Sequence, residues 1–255
     1  FYRNNNIPTA SFEEFENLDQ VNEGIIKGKL SFPFVWKSAE MGYDGYGVSI
    51  IHSNKEIESL NTGPCLVEEL VPIEKELSVI VCRRPSGETV HYPVVESEFH
   101  ATANQVEYVL CPARISEQAT KKAIEVALQT AEVYGQIGLL AVELFLTSEG
   151  EILVNEVAPR PHNSGHFSME ASFTCQFEQH IRGVLDLPLG KTKSKVSAVM
   201  VNLVGKEGHT GPVVYKNLDK ILAIEGVTPH IYGKKETFPF RKMGHVTIIH
   251  PKIDT

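Results

Sequence analysis

The sequence predicts an α+β fold: mainly antiparallel sheets with packed helices, followed by a small strand-rich C-terminal domain. Three observations carry this. Short apolar runs are joined by hairpin-like turns at Pro85-Ser86-Gly87 and Ser148-Glu149-Gly150-Glu151. One long helical period stands out, with Ala119, Ala123, Ala127 and Ala131 at spacing four. The tail, 191–255, is built of further short apolar runs.

Each element follows in chain order. Residues 12–30 read as a helix and its exit, because Phe12, Phe15, Leu18 and Val21 recur at intervals of three before Gly24 and Gly28. Strands at 32–37 and 48–52 flank a glycine-rich stretch at 41–47, and a short helix at 54–61 stops at Gly63-Pro64. Strands follow at 65–71, 77–83 and 90–95, whereas 97–107 is polar, poorly periodic and reads as a loop. Ser116 caps a helix running to Tyr134, and Ile124 and Leu128 widen its apolar stripe. Strands at 139–147 and 152–158 enclose a tight turn; a polar loop at 159–168 and a helical stretch at 169–184 come next. Beyond a connector at 185–194, strands at 196–204, 220–224 and 245–250 complete the tail. The expected division is one domain over 1–190, with lobes at 1–64 and 65–190, and a small β-rich domain over 191–255.

Composition narrows the function classes. The 255 residues are 42% hydrophobic and 22% charged, enough for a sizeable core. Lys plus Arg is 24 against 32 for Asp plus Glu, a net charge of −8. That balance argues against coating nucleic acid or an anionic membrane, while leaving room for a local basic pocket. No apolar run reaches the ~18 residues of a membrane span. Cys65, Cys82, Cys111 and Cys175 contain no CxxC pair and read as reduced, intracellular thiols. The chain opens at Phe1 rather than Met and stops abruptly at Thr255, which reads as a piece of a longer protein.

Five constellations carry chemistry. Gly42, Gly45 and Gly47 free the backbone to bend around phosphate oxygens, with Lys37 on the preceding strand as a point charge; a plain glycine-rich hairpin has the same signature. Glu68 and Glu69 end an apolar strand, so only one of them faces a given side, and Glu76 follows; a nucleotide or bulk solvent would suit them. Glu143 and Glu156 sit in apolar strands. If Thr147 pairs with Ile152, then Ala141 pairs with Ala158 and Glu143 with Glu156. Two facing carboxylates repel, and a divalent cation held jointly with phosphates removes the problem. A one-residue slip would separate the pair, and Asn155 joins it only through a bulge. Arg160, His162, Asn163, Ser164, Gly165 and His166 follow directly and suit a small anion such as phosphate or bicarbonate, with zinc ligation by the histidines as the other chemistry. Lys234, Arg241, Lys242 and His245 form a basic cluster fit for a phosphate or for solvent, and His100 is equally ambiguous.

Four blocks together resemble the ATP-grasp ligases, and within them the 5-(carboxyamino)imidazole ribonucleotide synthase family. They are Gly-Tyr-Asp-Gly-Tyr-Gly at 42–47, Val-Glu-Glu-Leu-Val-Pro with Glu-Leu-Ser-Val over 67–79, Val-Asn-Glu-Val-Ala-Pro-Arg-Pro-His-Asn-Ser-Gly-His at 154–166 and Arg-Lys-Met-Gly-His-Val at 241–246. Ser172-Phe173-Thr174-Cys175-Gln176-Phe177-Glu178-Gln179-His180 adds to them. The resemblance implies an ATP-grasp fold whose preceding nucleotide-fold domain is absent from this chain. It implies ATP and Mg²⁺ as cofactors, with Mn²⁺ as a substitute. Lys37 would contact the phosphates under a loop of Gly42, Tyr43, Asp44, Gly45, Tyr46, Gly47 and Val48, with Tyr43 and Asp44 facing the ribonucleotide. Glu68, Glu69, Leu70 and Val71 would hold adenine, Glu76 the ribose, and His100 would lie near the nucleotide. Glu143 and Glu156 would ligate the metal beside Asn155. Arg160, His162, Asn163 and Ser164 would line a bicarbonate or carboxyphosphate pocket, with Lys234 and Arg241 at the substrate phosphate. The implied reaction carboxylates 5-aminoimidazole ribonucleotide with bicarbonate at the expense of ATP, in a cytoplasmic homodimer with neither nucleic acid nor membrane as partner. Another ATP-grasp ligase, or a truncated ATP-binding module without catalysis, shares much of this pattern.

Overall fold

The computed structural model describes residues 1–40, 47–100 and 105–253. The chain divides into two compact units, Thr9–Pro72 and Phe1–Pro8 with Ile73–Thr255. The division thus falls after Pro72 rather than after residue 64.

The smaller unit is a four-stranded antiparallel sheet. Its elements are β1 (Phe12–Phe15), α1 (Leu18–Ile26), β2 (Phe34–Ser38), β3 (Val48–Ile51), α2 (Asn54–Ile57) and β4 (Cys65–Glu69), with strand order β1-β4-β2-β3. Val21, Phe34, Trp36, Ile51, Ile57, Cys65 and Val67 make its core. The helix expected from residue 12 starts only at Leu18. Asn17 is extended and its side chain accepts from Gln20 N–H at 3.0 Å, which caps α1 and blocks any earlier turn. Phe12 and Phe15 instead lie at the ends of a strand paired with β4.

The larger unit comprises β5 (Ile73–Arg83), β6 (Thr89–His91), β7 (Val95–Phe99), β8 (Val106–Cys111), α3 (Glu117–Tyr134), β9 (Gly138–Thr147) and β10 (Ile152–Ala158). It continues through α4 (Ser168–Ala171), α5 (Gln176–Val184), β11 (Ala198–Val204), β12 (Gly211–Pro212), α6 (Leu218–Leu222), β13 (Val227–Ile231), β14 (Glu236–Thr237) and β15 (Lys242–Ile249). Among the described residues nine strands form one sheet, ordered β10-β9-β5-β7-β8-β11-β15-β13 with β6 beside β5. The C-terminal region is strand-rich as expected: β11, β15 and β13 extend the large sheet, and β12 and β14 pair as a small sheet of their own.

The middle strands are buried on both faces, which explains their unbroken apolar runs. Leu77, Val79 and Val81 of β5 with Leu140, Val142 and Leu144 of β9 face α3 and its Ala123, Ala127 and Ala131 stripe. Ile80, Cys82, Leu139 and Ala141 face the other side, under Phe167 and Ala171. Ser116 caps α3 as expected, accepting from Ala119 N–H at 3.1 Å, and Gly135 ends the helix at φ 65°.

Four sequence expectations change here. Where a loop is expected over 97–107, residues 97–99 belong to β7 and 106–107 to β8. Their alternation is hidden by Glu96, a buried carboxylate that accepts from Lys75 Nζ at 2.5 Å and Arg114 N–H at 2.9 Å. Burial raises its pKa, but those bonds outweigh the penalty and hold it at about 2. The expected strand at 90–95 splits between β6 and β7. The helix over 169–184 breaks into α4 and α5, where Ser172 leaves helical geometry and bridges Ser194. The strand over 220–224 is the helix α6, and β13 follows it unanticipated. Among the described residues no helix is long and apolar enough to cross a membrane.

Close approach of α5 to the sheet depends on Gly183, where an added Cβ would sit 2.7 Å from Cys82 Sγ and 3.1 Å from Gly138 Cα. Gly183→Ala is expected to destabilise the protein by about 1–3 kcal/mol, despite better helix propensity. A lower urea midpoint with an unchanged slope would verify it.

Candidate active site

One face of the large sheet carries the site. Side chains alternate along each strand, so the ladder register decides which share a face. Ser78 lies opposite Glu143, and Glu76 opposite Phe145, across β5 and β9. Glu76 also pairs with Ser97 of β7. Across β9 and β10, Glu143 faces Glu156 and Ala141 faces Ala158, as the sequence predicts. The rest of that register differs: Ile152 pairs with Leu146, because Thr147 closes the turn onto Glu151, whose carbonyl accepts Thr147 N–H at 3.0 Å. A bulge at Asn155 absorbs the one-residue difference. It also turns Asn155 into the small cavity lined by Glu76, Ser97 and Glu143.

The loop after β10 folds back over this face. His162 Nε2 lies 3.1 Å from Glu143 Oε1, and His162 Nδ1 lies 2.9 Å from Ser164 Oγ. Ser164 Oγ in turn meets Ser78 Oγ at 2.8 Å, buried in the sheet. This chain of polar atoms links the β5 strand to the carboxylate pair. Asn163 does not face open space; its amide forms a reciprocal pair with Asn202 of β11 at 2.8 and 3.1 Å. The Arg160 guanidinium is exposed and donates to Pro161 O at 3.1 Å. At the far end of the loop the His166 ring stacks on His245, which stacks on His230, each pair 4.6 Å apart. Glu170 receives His230 Nε2 at 2.8 Å, and Tyr232 Oη bonds His245 Nδ1 at 2.9 Å.

The basic cluster splits. Lys234 donates to Lys242 O at 2.6 Å and lies over the Tyr232 ring, whereas Arg241 lies over Phe238 and donates to Glu236 O at 2.6 Å. Lys242 is the cation whose field reaches Glu143. His100 donates its backbone N–H to Gln105 O at 2.9 Å and sets its ring edge-on to Phe240. The sequence assigns no role to Ser78 or Asn202, and it places Lys242 in the basic cluster and not beside the carboxylates. A lone polar residue inside an apolar strand, as in Glu-Leu-Ser-Val and Val-Met-Val-Asn, was the available signal.

In the smaller unit Lys37 Nζ pairs with Glu68 at 2.7 Å on one face of the β2–β4 ladder. Glu69 points the other way and accepts Ser11 N–H at 3.1 Å, so the two adjacent carboxylates separate as strand alternation requires. Leu70 and Val71 follow the end of β4, and Gly47, at φ 83°, precedes Val48 at the start of β3. Gly42, Tyr43, Asp44, Gly45 and Tyr46 lie outside the described residues.

Burial, the neighbouring Glu156 and then Glu76 push the Glu143 pKa up to about 8, with Lys242 opposing. The donor set of Glu143, Glu156 and Asn155 is all oxygen, which suits a hard divalent ion better than zinc. Among the described residues no cluster of three or more His, Cys, Asp or Glu stands ready as a metal cage. Because the native pKa lies above the unfolded one, stability falls as pH rises from about 4.5 to 8. Glu143→Gln should therefore stabilise the chelator-treated protein at pH 8 by about 1–2 kcal/mol, with the gain vanishing near pH 4.5. Thermal melts across that range read it directly.

Comparison with known proteins agrees with this architecture. The ATP-grasp domain model matches residues 1–177, and the phosphoribosylaminoimidazole carboxylase C-terminal domain model matches 198–255. The chain is 42% identical to the N5-carboxyaminoimidazole ribonucleotide synthase of Bacillus subtilis, over 87% of this chain and 57% of that protein. It superposes on the N5-carboxyaminoimidazole ribonucleotide synthetase of Thermotoga maritima with a TM-score of 0.86 and 43% identity, over 99% of this chain and 65% of that one. The corresponding Aspergillus clavatus structure, in complex with ADP and 5-aminoimidazole ribonucleotide, gives a TM-score of 0.88 at 29% identity, over 99% of this chain and 67% of that one. The chain thus spans less than two thirds of the length of the first two relatives. With an antiparallel sheet pair, a carboxylate pair across a bulge and a family model covering most of its length, the chain belongs to the ATP-grasp family.

Proposed function

We propose that this chain binds MgATP and catalyses carboxylation of 5-aminoimidazole ribonucleotide with bicarbonate, through carboxyphosphate. The observation that carries this reading is the facing Glu143–Glu156 pair with His162 held on Glu143 by the loop that begins at the end of β10. The family membership and the names of the similar proteins support it.

In this reading Lys37 and the 42–48 loop take the ATP phosphates. Glu68 to Val71 take adenine, Glu76 takes the ribose, and His100 stands near the nucleotide. Glu143, Glu156 and Asn155 hold Mg²⁺, which when bound offsets the charge between carboxylates and phosphates. Bicarbonate attacks the γ-phosphoryl group, forming carboxyphosphate and releasing ADP. The exocyclic amine then attacks the carboxyl carbon and expels phosphate. Arg160 and the His162–Ser164 segment orient the bicarbonate, while Lys234 and Arg241 neutralise the ribonucleotide phosphate, with Tyr43 and Asp44 beside it. The four cysteines, none in a disulfide, suit the reducing cytoplasm, and a homodimer suits the family.

The test is ADP release in the presence of Mg²⁺. Release should require bicarbonate and 5-aminoimidazole ribonucleotide together. Glu156→Gln should lower it roughly 100-fold or more while leaving the melting temperature within a few degrees. Stimulation by glycinamide ribonucleotide and formate, or nucleotide binding without turnover, would refute the assignment.

A further inference from the structure

The Gln176 side chain is fully buried at the first turn of α5 and spends every polar atom on the loop above the carboxylates. Its Oε1 accepts His162 N–H at 2.9 Å, and its Nε2 donates to His162 O at 2.8 Å. The second Nε2 hydrogen reaches His166 Nδ1 at 2.9 Å. The amide orientation is not free. A backbone N–H only donates and a backbone carbonyl only accepts, so the oxygen must face His162 N–H and the nitrogen His162 O. His166 Nδ1 must then be an acceptor, which puts its proton on Nε2.

We infer that Gln176 is a positioning residue: it clamps His162 as an antiparallel strand partner would, and fixes His166 as the Nε2–H tautomer. Bonding both backbone groups of one residue holds His162 extended, at φ −126° and ψ 154°. That conformation directs its ring between Ser164 and Glu143. The clamp is itself held. Gln176 N–H donates to Ser168 Oγ at 2.9 Å, and Ser168 Oγ donates to Gly165 O at 2.6 Å. Gly165 leaves no slack, since an added Cβ would lie 2.5 Å from Gln176 Oε1. The groups facing His166 favour its neutral form: His245 from β15, with His230 behind it, Lys242, and the rings of Phe177 and Tyr232. Burial, then His230 and Lys242, lower its pKa to about 4, while the Glu170 carboxylate is taken up by His230. The catalytic part of this inference rests on His162 lining the bicarbonate pocket.

Gln176→Glu keeps the shape and reverses one end of the clamp. The new carboxylate still accepts from His162 N–H but offers His162 O and His166 Nδ1 no hydrogen unless a proton is taken up. The expected result at pH 8 is a KM for bicarbonate raised at least tenfold, with the KM for ATP within twofold. The gap should narrow as pH falls toward 6.5 and the carboxylate–imidazole pair gains its proton. A bicarbonate KM that stays within twofold of wild type, or both KM values rising together without pH dependence, would overturn the positioning role. An independent reading needs neither turnover nor the variant: long-range ¹H–¹⁵N spectra of the wild-type imidazoles should show His166 protonated at Nε2 and bare at Nδ1 at pH 7. A proton on Nδ1 would overturn the clamp. If wild type shows no bicarbonate-dependent ADP release, the functional reading fails and the spectra decide on Gln176 alone.

Discussion

Two carboxylates facing each other across neighbouring strands, at the β10 edge of a largely apolar sheet, are the condition around which the larger unit is arranged. On the face of the sheet that carries Glu143 and Glu156, the nearest β5 side chains, Ser78 and Glu76, bring no positive charge to offset the pair. The pair's repulsion is spread instead over His162, Lys242 and a proton that Glu143 retains well above the ordinary carboxylate range. Such an arrangement is costly for stability, and a bound cation would relieve what the fold alone does not.

The sheet solves this by dividing its faces. The α3 side is largely apolar and supplies the core, with Ala123, Ala127 and Ala131 allowing close helix packing and Glu96 as a buried, paired exception. The opposite side becomes polar toward one end, through Glu76, Ser78 and Ser97, while Ile80, Cys82 and Val95 continue the core beyond. Strand alternation makes this economical: each strand serves core and site with adjacent residues. The bulge at Asn155 adds a third side-chain oxygen to that face without disturbing the apolar half of β10.

Much of this was legible in the sequence, for identifiable reasons. The α3 stripe and its Ser116 cap, the β9–β10 hairpin and the facing glutamates follow from periodicity and a short turn. The elements that escaped are those where local pattern and burial disagree. Glu96 is charged yet buried, because Lys75 and Arg114 come from distant segments to meet it, so β7 reads as polar loop. Phe12 and Phe15 mimic a helical period that Asn17 interrupts. Leu218–Leu222 is too short for periodicity to separate helix from strand. At the site, residue types were legible and their partners were not. Asn163 finds Asn202, and His166 finds His245, across spans of chain that no local motif can report.

Those last pairings bear on how the protein is made. The loop over the carboxylates is fastened by β11 and β15, whose residues leave the ribosome well after the loop itself. A nascent chain that has released β5 through β10 holds both glutamates but lacks the strands that seat Asn163 and His166. Contacts of this sequence separation close more slowly than a local hairpin, so the loop is expected to be fastened after β9 and β10 have paired. Until β11 pairs with it the edge of β8 is open, and a nascent chain presents an unpaired sheet margin to whatever surrounds it.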